Sequence, residues 1–90
     1  MVRQKLRFIG CVQGVGFRYT AYHLATSLGL TGWVYNDWDG SVLMEVQGKE
    51  RTIQKLIEGL DRGSFIRIDR IEREQIPLDE YERSFKIKTY

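Results

Sequence analysis

The sequence predicts an α+β fold of the ferredoxin-like, split βαβ type, in which two helices cover one face of a mostly antiparallel sheet of four or five strands. Three observations lead to this class. Segments with period-two alternation predict strands, two segments with matching apolar stripes predict helices, and an Asp-Gly turn joins two of the strands. The predicted order is β-α-β-β-α-β-β. Because the chain has only 90 residues, we expect residues 1–90 to form a single domain.

The first strand and the first helix are predicted on either side of a glycine-rich segment. In the strand, apolar residues alternate with basic ones: Val2, Leu6, Phe8 and Val12 with Arg3, Lys5 and Arg7. The helix carries an apolar stripe at positions i, i+3, i+4 and i+7, formed by Ala21, Leu24, Ala25 and Leu28. Gly29 follows the stripe, at a position where glycine commonly ends a helix.

The next two strands form a predicted hairpin. Residues 30–36, LTGWVYN, are rich in residues that favour strands, and DWDG at 37–40 has the chemistry of a tight turn. After the turn, Val42, Met44 and Val46 alternate with less apolar residues. We expect the two strands of the hairpin to be antiparallel, and we expect the strand at 30–36 to run antiparallel to the first strand as well.

The second half of the chain repeats the helical pattern and adds two strands. The second helical stripe is formed by Ile53, Leu56, Ile57 and Leu60. Residues 65–74 are a predicted strand whose apolar parity changes between Ile68 and Ile71, which indicates a bulge or a strand end. Residues 77–83 are a predicted polar loop, and the last strand, at 84–90, should turn two side chains toward the core, Phe85 and Ile87.

The composition excludes several classes of protein. Lys and Arg total 14 against 12 acidic residues, and a net charge of +2 is too small for a protein that binds duplex nucleic acid. No segment resembles a signal peptide or a bilayer span, so we expect a cytoplasmic protein. The single cysteine, Cys11, cannot form an intramolecular disulfide, and we expect it to be a small buried side chain. With one histidine, His23, the chain lacks the usual zinc donors.

The segment GCVQGVGFRYT, residues 10–20, contains residue types that suit an anion. Gly14 and Gly16 tolerate left-handed backbone conformations and could point successive N–H groups into one concavity. The N-terminus of the following helix favours negative charge, and the Arg18 guanidinium can donate two hydrogen bonds to one phosphate. The alternative is that the glycines only make a tight strand-to-helix turn, and the loop alone favours neither interpretation.

Other motifs for phosphate or metal chemistry are incomplete. No Gly-Lys-Ser/Thr follows the loop, and Tyr19 occupies the third glycine position of a dinucleotide-binding motif. Asp37 and Asp39 lie in the hairpin turn, where carboxylates bond to nearby backbone groups, so we expect no Mg²⁺ site there. His23 is a candidate base, but helical spacing places it opposite the apolar stripe, on the solvent side.

The runs VQGVGFR at 12–18, LGLTGWVYN at 28–36 and DG at 39–40 resemble the acylphosphatase family, and the match covers nearly the whole chain. The resemblance implies an enzyme that hydrolyses the carboxyl–phosphate bond of acyl phosphates without a metal or other cofactor. It implies that Asn36 orients the attacking water and that the substrate phosphate is held by Arg18 and the backbone of a loop formed by Gln13, Gly14, Val15, Gly16, Phe17 and Arg18. The expected partner is a small-molecule acyl phosphate, with no nucleic acid and no membrane, and the expected state is a monomer.

The chain departs from the family pattern at two places. Gly63-Ser64 follows the second helix, where the family often has a glycine–proline pair; this concerns the stiffness of a loop. Trp38 lies inside the hairpin turn, where smaller or polar residues are more usual. It either shapes the mouth of the site or caps the hairpin, and we favour the cap.

A binding module is the main alternative to an enzyme. Split βαβ domains also bind single-stranded RNA on the open face of the sheet, and the side chains expected there are Arg3, Lys5, Arg7, Trp33, Tyr35 and Leu43. The aromatic motif typical of such domains is absent, and the glycine loop has no role in this interpretation. A third alternative is a regulatory module that binds phosphate ligands without turnover.

Overall fold

Seven elements follow one another in the predicted order in a computed structural model that describes residues 1–89. They are β1 (Val2–Cys11), α1 (Phe17–Ser27), β2 (Thr31–Asn36), β3 (Val42–Gly48), α2 (Glu50–Asp61), β4 (Arg67–Ile76) and β5 (Phe85–Ile87). The last strand is shorter than the predicted 84–90, and Tyr90 lies outside the described residues. Gly29 adopts a positive φ of 72° directly after the end of α1, as its position in the sequence predicted.

The five strands form one sheet in the order β4-β1-β3-β2-β5. All neighbours are antiparallel except β2 and β5, which are parallel. The predicted ferredoxin-like, split βαβ class with two helices and an added strand is confirmed. The expected direction of β2 was wrong, because β1 and β2 each pair antiparallel with β3 and therefore run the same way. The hairpin fixes only the relation of β2 to β3.

The core lies between the sheet and the two helices. Most strand residues that alternate inward are buried, and so are the whole α2 stripe and Ala21 and Ala25 of the α1 stripe, whereas Leu24 and Leu28 are partly buried. The largest buried side chains include Leu6, Phe8, Val34, Met44, Ile53, Leu56 and Leu60. Burying one such side chain stabilises the fold by about 1.5–3 kcal/mol. Phe17, the first residue of α1, packs its ring 4.9 Å from that of Phe8, so the start of the helix is fixed on β1.

The parity change in β4 corresponds to an irregularity in its pairing with β1. Ile9 pairs with Arg70 and Gly10 pairs with Ile68, so Asp69 is an extra residue on β4. The predicted bulge is therefore confirmed.

Two side chains are more exposed than the sequence predicted. Cys11 is exposed rather than buried, because it has the parity of Arg7, on the face of the sheet that the helices do not cover. Phe85 is buried as expected, but Ile87, on the same face, is 38% exposed. Since β5 is an edge strand, the helical layer does not fully cover its end.

The open face of the sheet is partly covered by the segment 77–83. Arg3 is only 4% exposed and pairs with Glu45 at 3.0 Å and with Glu82 at 2.7 Å. The hydrogen bond to Glu82 is the main cause that raises the pKa of the Arg3 guanidinium. Gln47 exchanges two hydrogen bonds with the backbone of Asp79, which fixes the segment further. Arg3 lies on the open face as expected, but carboxylates neutralise its charge there.

Candidate active site

The loop between β1 and α1 has the backbone conformation that its glycines predicted. Gly14 and Gly16 have φ values of +73° and +79°, which are left-handed and disfavour residues with a Cβ. An added Cβ would meet no atom of residues 1–89 within 4 Å at either position, so the requirement for glycine comes from the backbone and not from crowding. The open space beside both residues belongs to a cavity.

The N-terminus of α1 directly follows this loop, and no acidic side chain in the first turn neutralises its partial positive charge. Gly16 is the N-cap, and its carbonyl oxygen accepts the first helical hydrogen bond from the Thr20 N–H at 3.0 Å. No acidic residue lies in the first turn, and no side chain caps the helix. The first N–H groups of a helix lack intrahelical partners and carry partial positive charge. This end of α1 can therefore accept an anion.

A cavity of about 380 Å³ brings the glycine loop, the start of α1 and the end of β2 together. Its walls are formed by Val12, Gly14, Gly16, Phe17, Arg18, Tyr19, Asn36, Ile87 and Thr89. Arg18 is the second residue of α1, and Asn36 is the last residue of β2, so the strand order places both side chains at one end of the sheet. Val15 packs against the core instead of lining the cavity.

Arg18 differs from several other arginines in the charges around it. Arg3, Arg7, Arg67 and Arg70 each lie within ion-pair distance of a carboxylate. Within residues 1–89, Arg18 makes no ion pair. No carboxylate of residues 1–89 therefore neutralises its positive charge at the cavity.

A second cavity of about 380 Å³ adjoins the first and shares Arg18, Asn36 and Thr89 with it. Trp38 lines this second cavity and is 87% exposed. A ring with so little contact does not cap the hairpin, so the position of Trp38 favours the alternative in which it shapes the mouth of the site.

The hairpin turn that follows Asn36 is held by its own carboxylates and by Arg7. Asp37 Oδ1 accepts a hydrogen bond from the Trp38 N–H at 2.8 Å, and Asp39 Oδ1 accepts one from the Ser41 N–H at 2.9 Å. Arg7 pairs with both carboxylates at 3.0 Å. Hydrogen bonds from the Ser41 hydroxyl and N–H are the main causes that lower the pKa of Asp39. The predicted role of both aspartates in turn bonding is confirmed.

The structure also shows where the other candidate groups lie. His23 is exposed on α1, as predicted, and its ring contacts Tyr19 and Tyr22. In residues 1–89, no three His, Cys, Asp or Glu residues lie together as a metal site would need. The walls at Tyr19, Ile87 and Thr89 were missed by the sequence analysis. For Tyr19, its position beside Arg18 in the sequence could have indicated this. Nothing in the local sequence predicts that β5 pairs with β2, so Ile87 and Thr89 could not have been found.

Comparisons with known proteins identify the family of this chain. The sequence model of the acylphosphatase family matches residues 4–87. The chain belongs to the acylphosphatase family. An acylphosphatase of Clostridium acetobutylicum is 40% identical over 88 residues, which are 97% of each chain. The crystal structure of acylphosphatase from Bacillus subtilis superposes with a TM-score of 0.90 at 32% identity, covering 99% of this chain and all of that one.

The same fold also occurs inside a longer protein. Full-length HypF in its phosphate- and nucleotide-bound form matches 98% of this chain with a TM-score of 0.87 and 30% identity, but the match covers only 12% of HypF. The acylphosphatases above have the length of this chain. Membership of the family makes this protein a hydrolase that acts on acyl phosphates. Neither helix within residues 1–89 is long and apolar enough to cross a membrane.

Proposed function

We propose that this acylphosphatase binds the phosphoryl group of its substrate in the loop of residues 13–18 and hydrolyses it with a water molecule held by Asn36. The observation that carries the proposal is that the left-handed glycines, the unpaired charge of Arg18 and the side chain of Asn36 line one cavity. Each group alone has a structural explanation. Their convergence on one space is what a phosphoryl-transfer site needs.

The phosphate end of the site is assigned to the loop and Arg18. Backbone N–H groups near Gly14 and Gly16, together with the N-terminus of α1, supply fixed partial positive charge. The planar guanidinium of Arg18 adds two parallel donors and a full charge. These groups bind the ground state and also stabilise the charge that spreads over the equatorial oxygens in the transition state.

The leaving group needs no help from an acid. An acyl phosphate is a mixed anhydride, and its leaving carboxylate has a pKa of about 4, so it departs unprotonated with the electron pair of the broken P–O bond. The water oxygen forms the new bond to phosphorus from the opposite side. The water proton passes to a phosphate oxygen of the substrate.

Asn36 is assigned the water. Its side-chain amide has one acceptor oxygen and two donor hydrogens, so it can hold and orient a water but is far too weak a base to deprotonate it. Positioning of this kind is most of what the protein contributes to phosphoryl transfer.

The test is the release of inorganic phosphate from acetyl phosphate and benzoyl phosphate with a chelator present, because we also propose that no metal takes part. Arg18→Gln should lose both turnover and inhibition by inorganic phosphate. Asn36→Ala should keep most of the inhibition and lose turnover by about 10²-fold. Arg51→Gln, a change of the same kind at an exposed position of α2, is the matched control and should retain both. Full activity in both site variants would refute the assignment.

We also propose that the protein is a monomer in the cytoplasm. These two statements and the absence of a metal are tested separately. Loss of activity on chelation that Mg²⁺ or Zn²⁺ restores would refute metal independence. Sedimentation at micromolar concentration tests the proposed monomer. Fractionation of the cells that produce the protein tests the proposed cytoplasmic location.

A further inference from the structure

The side chain of Gln13 connects the glycine loop to the turn that follows Asn36. Its Nε2 donates one hydrogen bond to the Asp37 carbonyl oxygen at 2.6 Å and a second to the Ser41 carbonyl oxygen at 2.9 Å. These two carbonyls stand at the two ends of the turn. The Asp37 N–H donates back to the Ser41 oxygen at 2.9 Å, so the bonds of Gln13 lie where the hairpin closes.

From this geometry we infer that Gln13 is a positioning residue, which fixes Asn36 relative to the phosphate loop. The inference rests on the proposed function of Asn36. The anchored carbonyl belongs to Asp37, the residue directly after Asn36, and Gln13 is itself the first residue of the proposed phosphate loop. A single side chain therefore spans the segment that would hold the phosphate and the segment that would hold the water.

The arrangement leaves Gln13 no donor for the substrate. A side-chain amide has two N–H hydrogens, and both are used by the turn. Its remaining polar atom is an acceptor oxygen, which does not bind a phosphate anion. The side chain of Gln13 thus acts on the reaction through Asn36 and not by contact with the substrate.

Arg7 holds the same turn from a different direction. It bonds to the carboxylates of Asp37 and Asp39, at 3.0 Å each, and to the Ser41 hydroxyl. Arg7 fixes the side chains of the turn to β1, whereas Gln13 fixes the backbone of the turn to the loop. Removal of the Gln13 side-chain amide therefore leaves the turn folded, but the distance between the turn and the loop is no longer fixed. Since a misplacement of about 1 Å can cost on the order of 10²-fold in rate, this link matters to catalysis more than to folding.

The test is a double-mutant cycle of Gln13→Met and Asn36→Ala, with turnover and inhibition by inorganic phosphate measured on the full chain. Methionine keeps the length of the side chain and removes both donors. We expect Gln13→Met to lower kcat by about 10-fold or more and to leave the inhibition constant of phosphate within about twofold. In the Asn36→Ala background the same change should cost less than about twofold in kcat, because the group it positions is gone.

Gln47→Met is the matched control. Gln47 also ties a strand to an irregular segment by side-chain bonds to backbone, at Asp79, but away from the cavity. Gln47→Met should lower the free energy of unfolding and leave kcat and phosphate inhibition unchanged. Gln13→Ala, in which water can replace the amide, is measured beside Gln13→Met, and an unfolding curve for each variant shows that it is folded.

Three results would overturn the inference. The first is an unchanged kcat in both folded Gln13 variants. The second is a kcat in the double variant that falls by the full product of the two single losses. The third is a loss of phosphate inhibition with kcat retained. The third would place the effect in the phosphate loop alone. Full turnover in Asn36→Ala by itself would instead refute the proposed function of Asn36, and the inference with it.

Discussion

Replacing Gly16 with alanine separates the two consequences of its left-handed backbone, one for stability and one for the anion. The φ of +79° disfavours alanine by about 1–2 kcal/mol, while alanine also lowers the entropy of the unfolded chain. Because a Cβ at Gly16 would meet no atom of residues 1–89 within 4 Å, no steric clash adds to the cost of the left-handed backbone. We expect a net loss of about 1 kcal/mol, which corresponds to a fall in Tm of about 4–8 °C in a domain of this size.

Gly29→Ala is the control for this experiment. Gly29 lies at the other end of α1 with a φ of +72° and equally open space around it, so its replacement should cost about as much stability. Only Gly16→Ala should weaken the inhibition of acetyl phosphate hydrolysis by inorganic phosphate. Alanine partly relieves its strain by shifting this backbone away from the left-handed region, which turns one N–H away from a bound anion. Loss of that hydrogen bond costs about 1.5–3 kcal/mol, or roughly tenfold or more in the inhibition constant.

The assay combines urea unfolding curves with inhibition constants for the three proteins. Equal losses of stability with unchanged phosphate inhibition in Gly16→Ala would refute the reasoning that this backbone conformation serves the anion. An unchanged unfolding midpoint in Gly16→Ala would refute the reasoning about strain at positive φ.

Three further predictions follow from side chains outside the proposed chemistry. Arg3→Met should cost about 2–3 kcal/mol in urea unfolding without changing kcat, since it leaves the Glu45 and Glu82 carboxylates without their buried partner; a kcat loss in a folded variant would contradict this. Asp39 has a lowered pKa in the folded protein, so the stability it contributes is present above its unfolded pKa and is lost as the pH falls through the lower folded value. Melting curves should therefore show a smaller acid-induced loss in Asp39→Asn than in the parent as the pH falls below the ordinary aspartate pKa of about 4, and parallel curves would contradict the assignment. Trp38→Ala should change stability by no more than about 0.5 kcal/mol, and phosphate should alter the tryptophan emission of the parent but not of this variant.

The local parts of the fold and site could be predicted from the sequence, whereas pairings between distant segments could not. The alternation in β1 and the stripes of α1 and α2 are local patterns, and the glycine loop carries its own backbone requirement at Gly14 and Gly16. The direction of β2 relative to β1 was predicted wrongly because it depends on β3 lying between them. A hairpin signal contains no information about that third strand.

Side-chain environments were the least predictable feature. Arg3 was expected on the open face, but the sequence did not show that the distant Glu82 would pair with it from the segment that covers this face. Gln13 was assigned through its backbone alone, and its side-chain bonds to Asp37 and Ser41 depend on how the loop and the turn meet in space. Ile87 follows the predicted parity, yet its exposure is set by the edge position of β5.

The sheet order also determines when the cavity can exist during folding. In the pairing of β1 with β4, Arg3 lies opposite Ile76, and in the pairing of β2 with β5, Gly32 lies opposite Phe85. The two residues of each pair are separated in sequence by more than half the length of the chain. Closing such long loops costs entropy before any contact repays it, and proteins with many distant pairings fold more slowly than helical bundles of the same length. The wall at Ile87 comes from β5, which joins the sheet through the parallel pairing with β2. Until β5 docks, the glycine loop and the end of β2 lack the wall that Ile87 and Thr89 add to the cavity.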